Sequence, residues 1–240
     1  MRLRFYKIKA LFLKDFNLSL KNKNVMAMLL LPILFGVLFN YLLFDQLQDH
    51  LYILNMCQNL ILATIPLSVQ SSMIAEEKEK NTMRTLMLSD VSGLEFLLSK
   101  SLVSFLYILV MSTINFFLCE MNAELLPAFL GLSLLAGIAI IFFGSMVGIL
   151  AKDQASASTL STPFMLILYL PAMFATFNDI MAMIGKCMPT YALQLMFENV
   201  QNNVDFFCMD NLICLATMLF WIVAGIVLFQ MAYKKNQRDN

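Results

Sequence analysis

Charged residues are scarce in this sequence, and their scarcity limits the kind of protein it can be. Only 13% of the 240 residues are Asp, Glu, Lys or Arg, whereas 60% are hydrophobic. An average soluble domain is about one-quarter charged. The 16 basic and 16 acidic residues cancel, and a chain without a basic excess is poorly suited to bind nucleic acid. The composition indicates one compact membrane domain, with no room for an additional soluble catalytic domain.

Histidine is nearly absent, and a phosphate-binding motif is absent altogether. The one histidine, His50, follows Asp49 in a predicted loop, and no stretch matches Gly-x-x-x-x-Gly-Lys-Ser/Thr. A metal site needs several converging donors, so we interpret His50 as a solvated loop residue. We therefore predict no catalytic residues, no metal site and no cofactor bound by this chain. An enzyme that acts by itself is not expected.

Long hydrophobic runs are the main feature that is present. A helix needs about 20 residues to cross a bilayer core of about 30 Å. Runs of that length predict an all-α integral membrane protein with six transmembrane helices, at residues 25–44, 52–75, 101–119, 125–150, 159–177 and 211–231. These predicted spans contain no Asp, Glu, His, Lys or Arg. Ion-coupled carriers and intramembrane proteases need such groups at depth, so neither class is favoured.

The basic residues predict the orientation of the spans. All of the 16 lysines and arginines except Lys186 flank the same side: before residue 25, after the second and fourth spans, and in the tail 232–240. Acidic residues occur on both sides. The positive-inside rule then places the N- and C-termini in the cytoplasm.

Residues 1–24 predict an amphipathic helix at the cytoplasmic membrane interface. One face would carry phenyl rings into the acyl boundary, and another would carry lysines among the head groups. An ordinary basic flank without fixed structure is the alternative. The predicted interfacial anchors are Phe5, Phe12, Phe16, Lys7 and Lys14.

A run of charged residues interrupts the pattern after the second predicted span. Each charge would cost about 2.5–3.5 kcal/mol at the centre of a spanning helix, so the run is predicted to be an aqueous loop. Pairs three and four residues apart, such as Glu76–Lys80 and Glu77–Lys80, would brace this loop. The predicted bracing residues are Glu76, Glu77, Glu79, Lys80, Ser92 and Glu95.

The residues that follow predict a short helix within about 81–92. Asn81 can cap it, and its apolar stripe would consist of Met83, Leu86 and Met87. Ser92 and Glu95 then fit a capping box that opens a second helix, which runs into the third span. An exposed apolar stripe of this kind is suited to docking in a groove of a partner. A solvated connector that touches the membrane would give the same pattern.

The external side is predicted to carry a short helical hairpin. Residues 178–210 are apolar but too interrupted to span the bilayer, which favours short helices that enter the outer leaflet under the cover of protein. A plain external loop is the alternative. A Cys187–Cys208 disulfide is conceivable here, but cysteine also serves as a small apolar residue, so the pairing stays open. In the fourth span, Gly144 and Gly148 form a small-xxx-small pattern that permits close helix approach.

Residues 75–100, AEEKEKNTMRTLMLSDVSGLEFLLSK, resemble the cytoplasmic coupling segment of permease subunits of type-2 ABC exporters, among them bacterial peptide, bacteriocin and drug export permeases. In this resemblance Asn81 stands where a glycine is usual and Asp90 where a proline is common. Met188-Pro189-Thr190-Tyr191 resembles the Pro-centred motif of the external hairpin before the last span. The positions that match in the coupling segment are Glu77, Glu79, Thr82, Leu86, Ser89, Ser92, Glu95 and Lys100.

The resemblance implies partners and residue roles. The coupling segment would contact a separate ABC ATPase subunit, which would bind ATP and Mg²⁺, and a second permease subunit would complete a homodimer or a dimer with a close paralogue. Residues 25–231 would form the six-span permease domain, in contact with the lipids of the bacterial cytoplasmic membrane. Pro189 and Tyr191 would help to close the external gate. The ATPase-coupling residues would be Met83, Leu86 and Met87 for docking and Arg84 for an ion pair or hydrogen bond.

The predicted function is that of a permease subunit of an ATP-driven exporter. Its apolar spans without fixed charge favour an amphiphilic substrate, such as a hydrophobic peptide, a bacteriocin or a drug-like molecule, and self-immunity is one role that would fit. Two alternatives remain open at this point. The chain could be a non-transporting membrane anchor for an ATPase, or it could be a passive channel or carrier.

Overall fold

The computed structural model describes residues 4–47, 49–82 and 91–238. The long elements of this part of the chain are helices, joined by short connections. They are α1 (Phe5–Lys21), α2 (Lys23–Leu47), α3 (His50–Ala63), α4 (Gln70–Glu79), α5 (Gly93–Leu118), α6 (Leu126–Leu150), α7 (Gln154–Phe174), α8 (Asp179–Gly185), α9 (Pro189–Gln201) and α10 (Met209–Arg238).

Six helical segments in the described residues are long and apolar enough to cross a membrane, which confirms the predicted number of spans. α3 and α4 act together as one of them. The helix that opens at the Ser92–Glu95 capping box runs into the third span, as predicted. The fifth span begins earlier than predicted, at Gln154, because its first turn is helix capped by Asp153. α8 and α9 meet at an angle of 98°, at the position of the predicted hairpin.

The second span, from His50 to Glu79, is the centre of the bundle. In its most apolar stretch 94% of the residues are buried, compared with 22% for α2 and 17% for α10. A π-helical turn, Thr64–Val69, joins α3 to α4. This turn contains Pro66, which has no N–H to donate to the regular helical ladder.

Two glycines of α6 bring that helix against the π turn and the start of α4. A Cβ atom added at Gly144 would lie 2.1 Å from the carbonyl oxygen of Pro66, and one added at Gly148 would lie 2.8 Å from that of Ser71. Only hydrogen fits in these spaces. The small-xxx-small pattern read from the sequence therefore marks a close helix contact.

The prediction that the charge run forms a loop is wrong for Glu76 to Glu79, and the prediction that it is exposed to water is wrong for Glu77. These residues are the last turn of α4, and Glu77 is only 4% exposed. α4 ends at Glu79, and Asn81, two residues later, has a φ of 56°, the left-handed conformation that asparagine tolerates. The cost of the buried charge is offset by partners on α1 and α5, which are distant in the sequence.

The N-terminal helix is present, but its contacts differ from the prediction. Its buried face packs along α5 and consists of Ile8, Leu11, Asp15 and Ser19. Of the predicted anchors, Phe5 is 79% exposed and Lys7 is half-buried, whereas Phe12 and Phe16 pack partly against the core. Lys14 contacts a carboxylate of the protein, as described below, and so is not simply a head-group anchor. Placement of α1 at the membrane interface remains a prediction.

Both ends of the described chain lie at the same end of the bundle. The backbone N–H of Arg4 donates to Glu95 at the start of α5, and the phenol of Tyr233 near the end of α10 lies over Gly93. Glu77, at the end of the second span, is tied to the same region through α1. We call this the basic end of the bundle.

Candidate functional site

The predicted ATPase-coupling residues Met83, Arg84, Leu86 and Met87 lie outside the described residues. The structure describes Thr82 before them and Val91 after them. The candidate site consists of the residues that hold the two ends of the segment 83–90.

The first end of the segment is held by the carboxylate of Glu77. Its Oε1 accepts hydrogen bonds from Lys14 Nζ at 2.7 Å and from Lys100 Nζ at 3.3 Å. Thr82 Oγ1 donates to the other carboxylate oxygen, and it lies 3.2 Å from the Glu77 carbonyl oxygen. The residue that precedes the segment is thereby fixed to α4, and α4 is fixed to α1 and α5.

A second carboxylate, Asp15 of α1, completes this arrangement. Lys100 Nζ lies 3.1 Å from Asp15 Oδ1, and Ser99 Oγ donates to Oδ2 at 3.4 Å. The Lys100 ammonium also lies 5.0 Å from the centre of the Phe96 ring. Burial raises the pKa of the Asp15 carboxyl, and the charge of Lys100 and its hydrogen bond oppose that change.

Two carboxylates and two ammonium groups thus meet where α1, α4 and α5 converge. We call Lys14, Asp15, Glu77 and Lys100 the buried charge cluster. Its formal charges cancel, and Lys100 is only 1% exposed. Buried charges are tolerated when they are paired and hydrogen-bonded, and removal of one partner then leaves another uncompensated. The cluster therefore fixes the relative position of the three helices.

The second end of the segment is held by Glu95. Ser92 Oγ accepts from the Glu95 N–H at 3.2 Å, and Glu95 Oε2 accepts from the Ser92 N–H at 2.9 Å. This is the capping box that the sequence predicted at the start of α5. Glu95 Oε1 also accepts from the backbone N–H of Arg4 at 2.8 Å, which ties the first residue before α1 to the start of α5.

One helix therefore connects to both ends of the segment. Arg4 and Lys14 are ten positions apart in the sequence, which corresponds to about 15 Å along a helix. α1 reaches the start of α5 through Arg4 and the end of α4 through Lys14. The segment 83–90 is bounded on both sides by residues that α1 holds.

The other predicted bracing residues have mixed outcomes. Glu76 and Lys80 form the predicted ion pair four residues apart, and the hydrogen bond from Lys80 to Glu76 raises the pKa of Lys80. Among the described residues, Glu77 pairs with Lys14 and Lys100 and not with Lys80. Glu79 Oε2 accepts from the backbone N–H of Gln154 at 3.1 Å, which connects α4 to the first turn of α7.

The sequence did not identify Asp15 as part of the site, and it gave no role to Lys100. A signal for Asp15 was available, because it is the only acidic residue before position 45 and it follows Ile8 and Leu11 at helical spacing. Lys100 was recognised only as a position that matches the resembled segment. The meeting of these residues depends on tertiary packing, which neither position shows by itself.

At the opposite end, Tyr191 and Pro189 form part of the bend between α8 and α9. Pro189 is the first residue of α9, where its missing N–H costs nothing. The Tyr191 ring packs over Gly185, and a Cβ atom there would lie 3.1 Å from the ring. Trp221 Nε1 donates to the Cys187 carbonyl at 2.7 Å, which ties α10 to the same bend. The gate role of Pro189 and Tyr191 remains a prediction.

The described residues contain neither a disulfide nor a group placed to bind a metal ion. All five cysteines are free, including Cys187 and Cys208. Within residues 4–47, 49–82 and 91–238, no group of three or more His, Cys, Asp or Glu is placed to hold a metal ion.

Comparison with protein families connects this architecture to a known group. Residues 59–229, more than half of the chain, match the family described as ABC-2 family transporter protein. The match begins inside α3 and ends inside α10, so it includes the spans on both sides of the segment 83–90. Comparison with curated proteins finds no match.

Proposed function

The chain belongs to the ABC-2 family of transporter proteins, and we propose that it exports an amphiphilic substrate as one of two permease subunits driven by ATP. Family membership makes it a multi-pass membrane permease subunit of an ABC transporter, which works with an ABC ATPase subunit. The direction of transport, the amphiphilic substrate and the pairing of permease subunits are our proposal. ATP and Mg²⁺ would be bound by the ATPase subunit.

The observation that carries the proposal is the attachment of both ends of the segment 83–90 to α1. A segment that receives force from a partner must be connected firmly to the helices that move. Thr82 is bonded to Glu77 at the end of the second span, and the Ser92–Glu95 cap opens the third span. We propose that the ATPase subunit docks on Met83, Leu86 and Met87, with Arg84 as its polar contact.

The buried charge cluster would transmit the motion. ATP-driven closure of the ATPase subunits pushes on the segment, and the push passes through Glu77 into α4 and through Glu95 into α5. Because Lys14 is on α1 and Arg4 directly precedes it, α1 keeps the ends of the two spans in register. The basic end then faces the cytoplasm of a bacterial cell, in agreement with the distribution of lysine and arginine.

The exposure of the outer helices leaves apolar surface on which a second permease subunit can pack. In the most apolar stretches of α7 and α10, only 28% and 17% of the residues are buried by the chain itself. Lipid or a second subunit must cover the remaining apolar surface. The substrate proposal is a hydrophobic peptide, a bacteriocin or a drug-like amphiphile, supported by the absence of charged residues from the six predicted spans. Self-immunity is a role that would suit it.

The first test is purification of the tagged chain from its native membrane, followed by measurement of vanadate-sensitive ATP hydrolysis. We expect a P-loop ATPase to co-purify and to hydrolyse ATP. The double variant Met83→Asp/Leu86→Asp should lose both the partner and the activity. Glu124→Gln, which changes an exposed carboxylate at the opposite end of the bundle, should lose neither.

Two results would contradict the proposal. One is a stable chain that arrives without an ATPase. The other is retention of ATPase binding and turnover by the double variant. Transport itself is measured separately, with vesicles that contain the complete complex, because an anchor that transports nothing would pass the first test.

A further inference from the structure

Four polar side chains form a second buried group, far from the basic end, between the second span and the helical hairpin. We call Asn55 and Asn59 of α3 together with Gln194 and Glu198 of α9 the amide cluster. Asn55 Nδ2 donates to Glu198 Oε1 at 3.3 Å, and Gln194 Nε2 donates to the same oxygen at 3.2 Å. Asn59 Nδ2 donates to Gln194 Oε1 at 3.4 Å.

The amide cluster is unusual in what it leaves unpaired. Asn55 is 2% exposed and Asn59 is 1% exposed, yet the side-chain oxygen of each has no hydrogen-bond partner within the described part of the chain. In each asparagine, the unpaired Oδ1 is bonded to the same carbon as the Nδ2 that donates into the cluster. Both oxygens therefore lie next to the cluster. Buried polar atoms without partners are uncommon in folded proteins.

The two side-chain oxygens that lack a partner are both acceptors. Each amide nitrogen of the cluster donates one hydrogen bond to a protein atom and keeps a second N–H, whereas Asn55 Oδ1 and Asn59 Oδ1 accept no hydrogen bond from the described residues. Both hydrogen bonds to Glu198 go to Oε1, so Oε2 is a further acceptor of the cluster. A primary ammonium group has three N–H donors, no acceptor and a positive charge. Its donors suit these acceptor oxygens, and its charge suits the Glu198 carboxylate.

The cluster lies between the centre of the bundle and the predicted gate. Asn55 and Asn59 are one helical turn apart on the second span, which is the most buried helix of the bundle. Glu198 is half-buried, whereas Asn55 and Asn59 are buried, so Glu198 is the more accessible member of the cluster. Tyr191, a predicted gate residue, lies on the same face of α9 as Gln194 and Glu198.

We propose that the amide cluster binds the primary ammonium group of the transported amphiphile, with Glu198 as counter-ion and Asn55 and Asn59 as acceptors. This inference rests on the proposed transport function, and it narrows the substrate class to amphiphiles with a protonated amine. Gln58 is not part of the site, because its Nε2 donates to Ser112 and Ser133 on the other side of α3.

The test uses n-decylammonium as the probe and the purified transporter in lipid nanodiscs. Heats of binding are measured by titration, and those of empty nanodiscs are subtracted. We expect saturable binding, with an affinity that Glu198→Gln lowers at least about tenfold, the loss expected for a hydrogen bond to a charged partner. Glu124→Gln removes an exposed carboxylate at the same end of the bundle and should leave the affinity unchanged.

A second probe and a second variant separate recognition from a structural role. The probe n-decyltrimethylammonium has the same charge and chain but no N–H donor, and it should bind at least about tenfold more weakly. Asn59→Asp keeps the shape of the side chain and adds a negative charge, so it should tighten binding of n-decylammonium. A residue that only supports the fold would not produce a tighter complex.

Three outcomes would overturn the inference. Equal binding of the two probes would show that donors are not recognised. Competition by sodium chloride, with the same sensitivity to Glu198→Gln, would assign the cluster to an inorganic cation. Absence of saturable binding would leave ordered water as its occupant. Each of these can occur while the ATPase co-purifies and turns over normally, so failure of this inference is distinguishable from failure of the permease assignment.

Discussion

The buried charge cluster and the amide cluster are both polar groups inside an apolar bundle, but they differ in how completely their atoms are paired. In the buried charge cluster, Lys100 contacts both carboxylates, and Lys14 and Thr82 satisfy Glu77 further. In the amide cluster, the hydrogen bonds are 3.2–3.4 Å long and two amide oxygens have no partner in the described residues. A completely paired group holds helices together, whereas an incompletely paired one has capacity for a ligand. The comparison predicts that substitutions will be costly at the first and nearly neutral for stability at the second.

The largest effect is expected from Lys100→Met. The substitution leaves Asp15 and Glu77 buried with one cation fewer, and removal of one partner from a buried ion pair costs about 3–5 kcal/mol. We expect a much lower thermal unfolding midpoint in detergent micelles, together with low yield. Lys152→Met, the same change at an exposed lysine, is the control and should unfold close to the parent. An unchanged midpoint for Lys100→Met would mean that the cluster contributes nothing to the packing of α1, α4 and α5.

The next largest loss of stability is expected from Gly144→Ala. Gly144 contacts the π-helical turn between α3 and α4, and this turn lies between the two clusters. The new methyl group would meet the backbone carbonyl of Pro66, which cannot rotate away, so a loss of about 1–3 kcal/mol is expected from overpacking. Gly131→Ala is the control on the same helix, because nothing lies within 4 Å of its added Cβ. Alanine there should stabilise α6 by up to about 1 kcal/mol. Equal unfolding midpoints of the two variants would contradict the close contact.

A smaller effect is expected from Ser92→Ala. It removes the side-chain half of the capping box at the start of α5 and should cost about 1 kcal/mol. The readout is again the thermal unfolding midpoint, compared with that of Ser158→Ala. Ser158 only donates to a carbonyl within its own helix, so its loss should matter less. If both variants unfold at the same temperature, the cap does not stabilise this end of the segment 83–90.

The smallest effect on stability is expected from Asn59→Leu. A leucine of similar size removes the unpaired Asn59 oxygen but leaves Gln194 Oε1 without its donor, so the number of unpaired buried acceptors does not change. The unfolding midpoint should therefore shift by less than the equivalent of about 1 kcal/mol. The same variant should bind n-decylammonium more weakly. A loss of stability as large as that of Lys100→Met would remove the distinction between the two clusters.

The sequence was sufficient for features that depend on neighbouring residues. The hydrophobic runs gave the six spans, and Ser92 and Glu95 gave the cap of α5 because both partners are within four positions. The left-handed conformation of Asn81 could also be expected, from the glycine that it replaces in the resembled family. These results require only local geometry and the thickness of a bilayer.

The sequence was insufficient where distant residues meet. Asp15, Glu77 and Lys100 are far apart in the sequence, and burial of any one of these charges would be costly without the others. A rule that considers one charge at a time therefore predicts that Glu77 is exposed to water. In the fold, Glu77 instead contacts the ammonium groups of two lysines. For the same reason the contact of Asn55 with Glu198 could not be anticipated, because it depends on how the hairpin packs against α3.

The enclosure of the second span has a consequence for biosynthesis. This span is nearly surrounded by its own chain, and it carries the buried amides Asn55, Gln58, Asn59 and Gln70. The side chains that bond to those amides are on α5, α6 and α9, which are synthesised later. The nascent second span therefore leaves the ribosome before its partners exist. We expect it to remain beside the insertion machinery until the later helices arrive, so that the centre of the bundle is among the last parts to be completed.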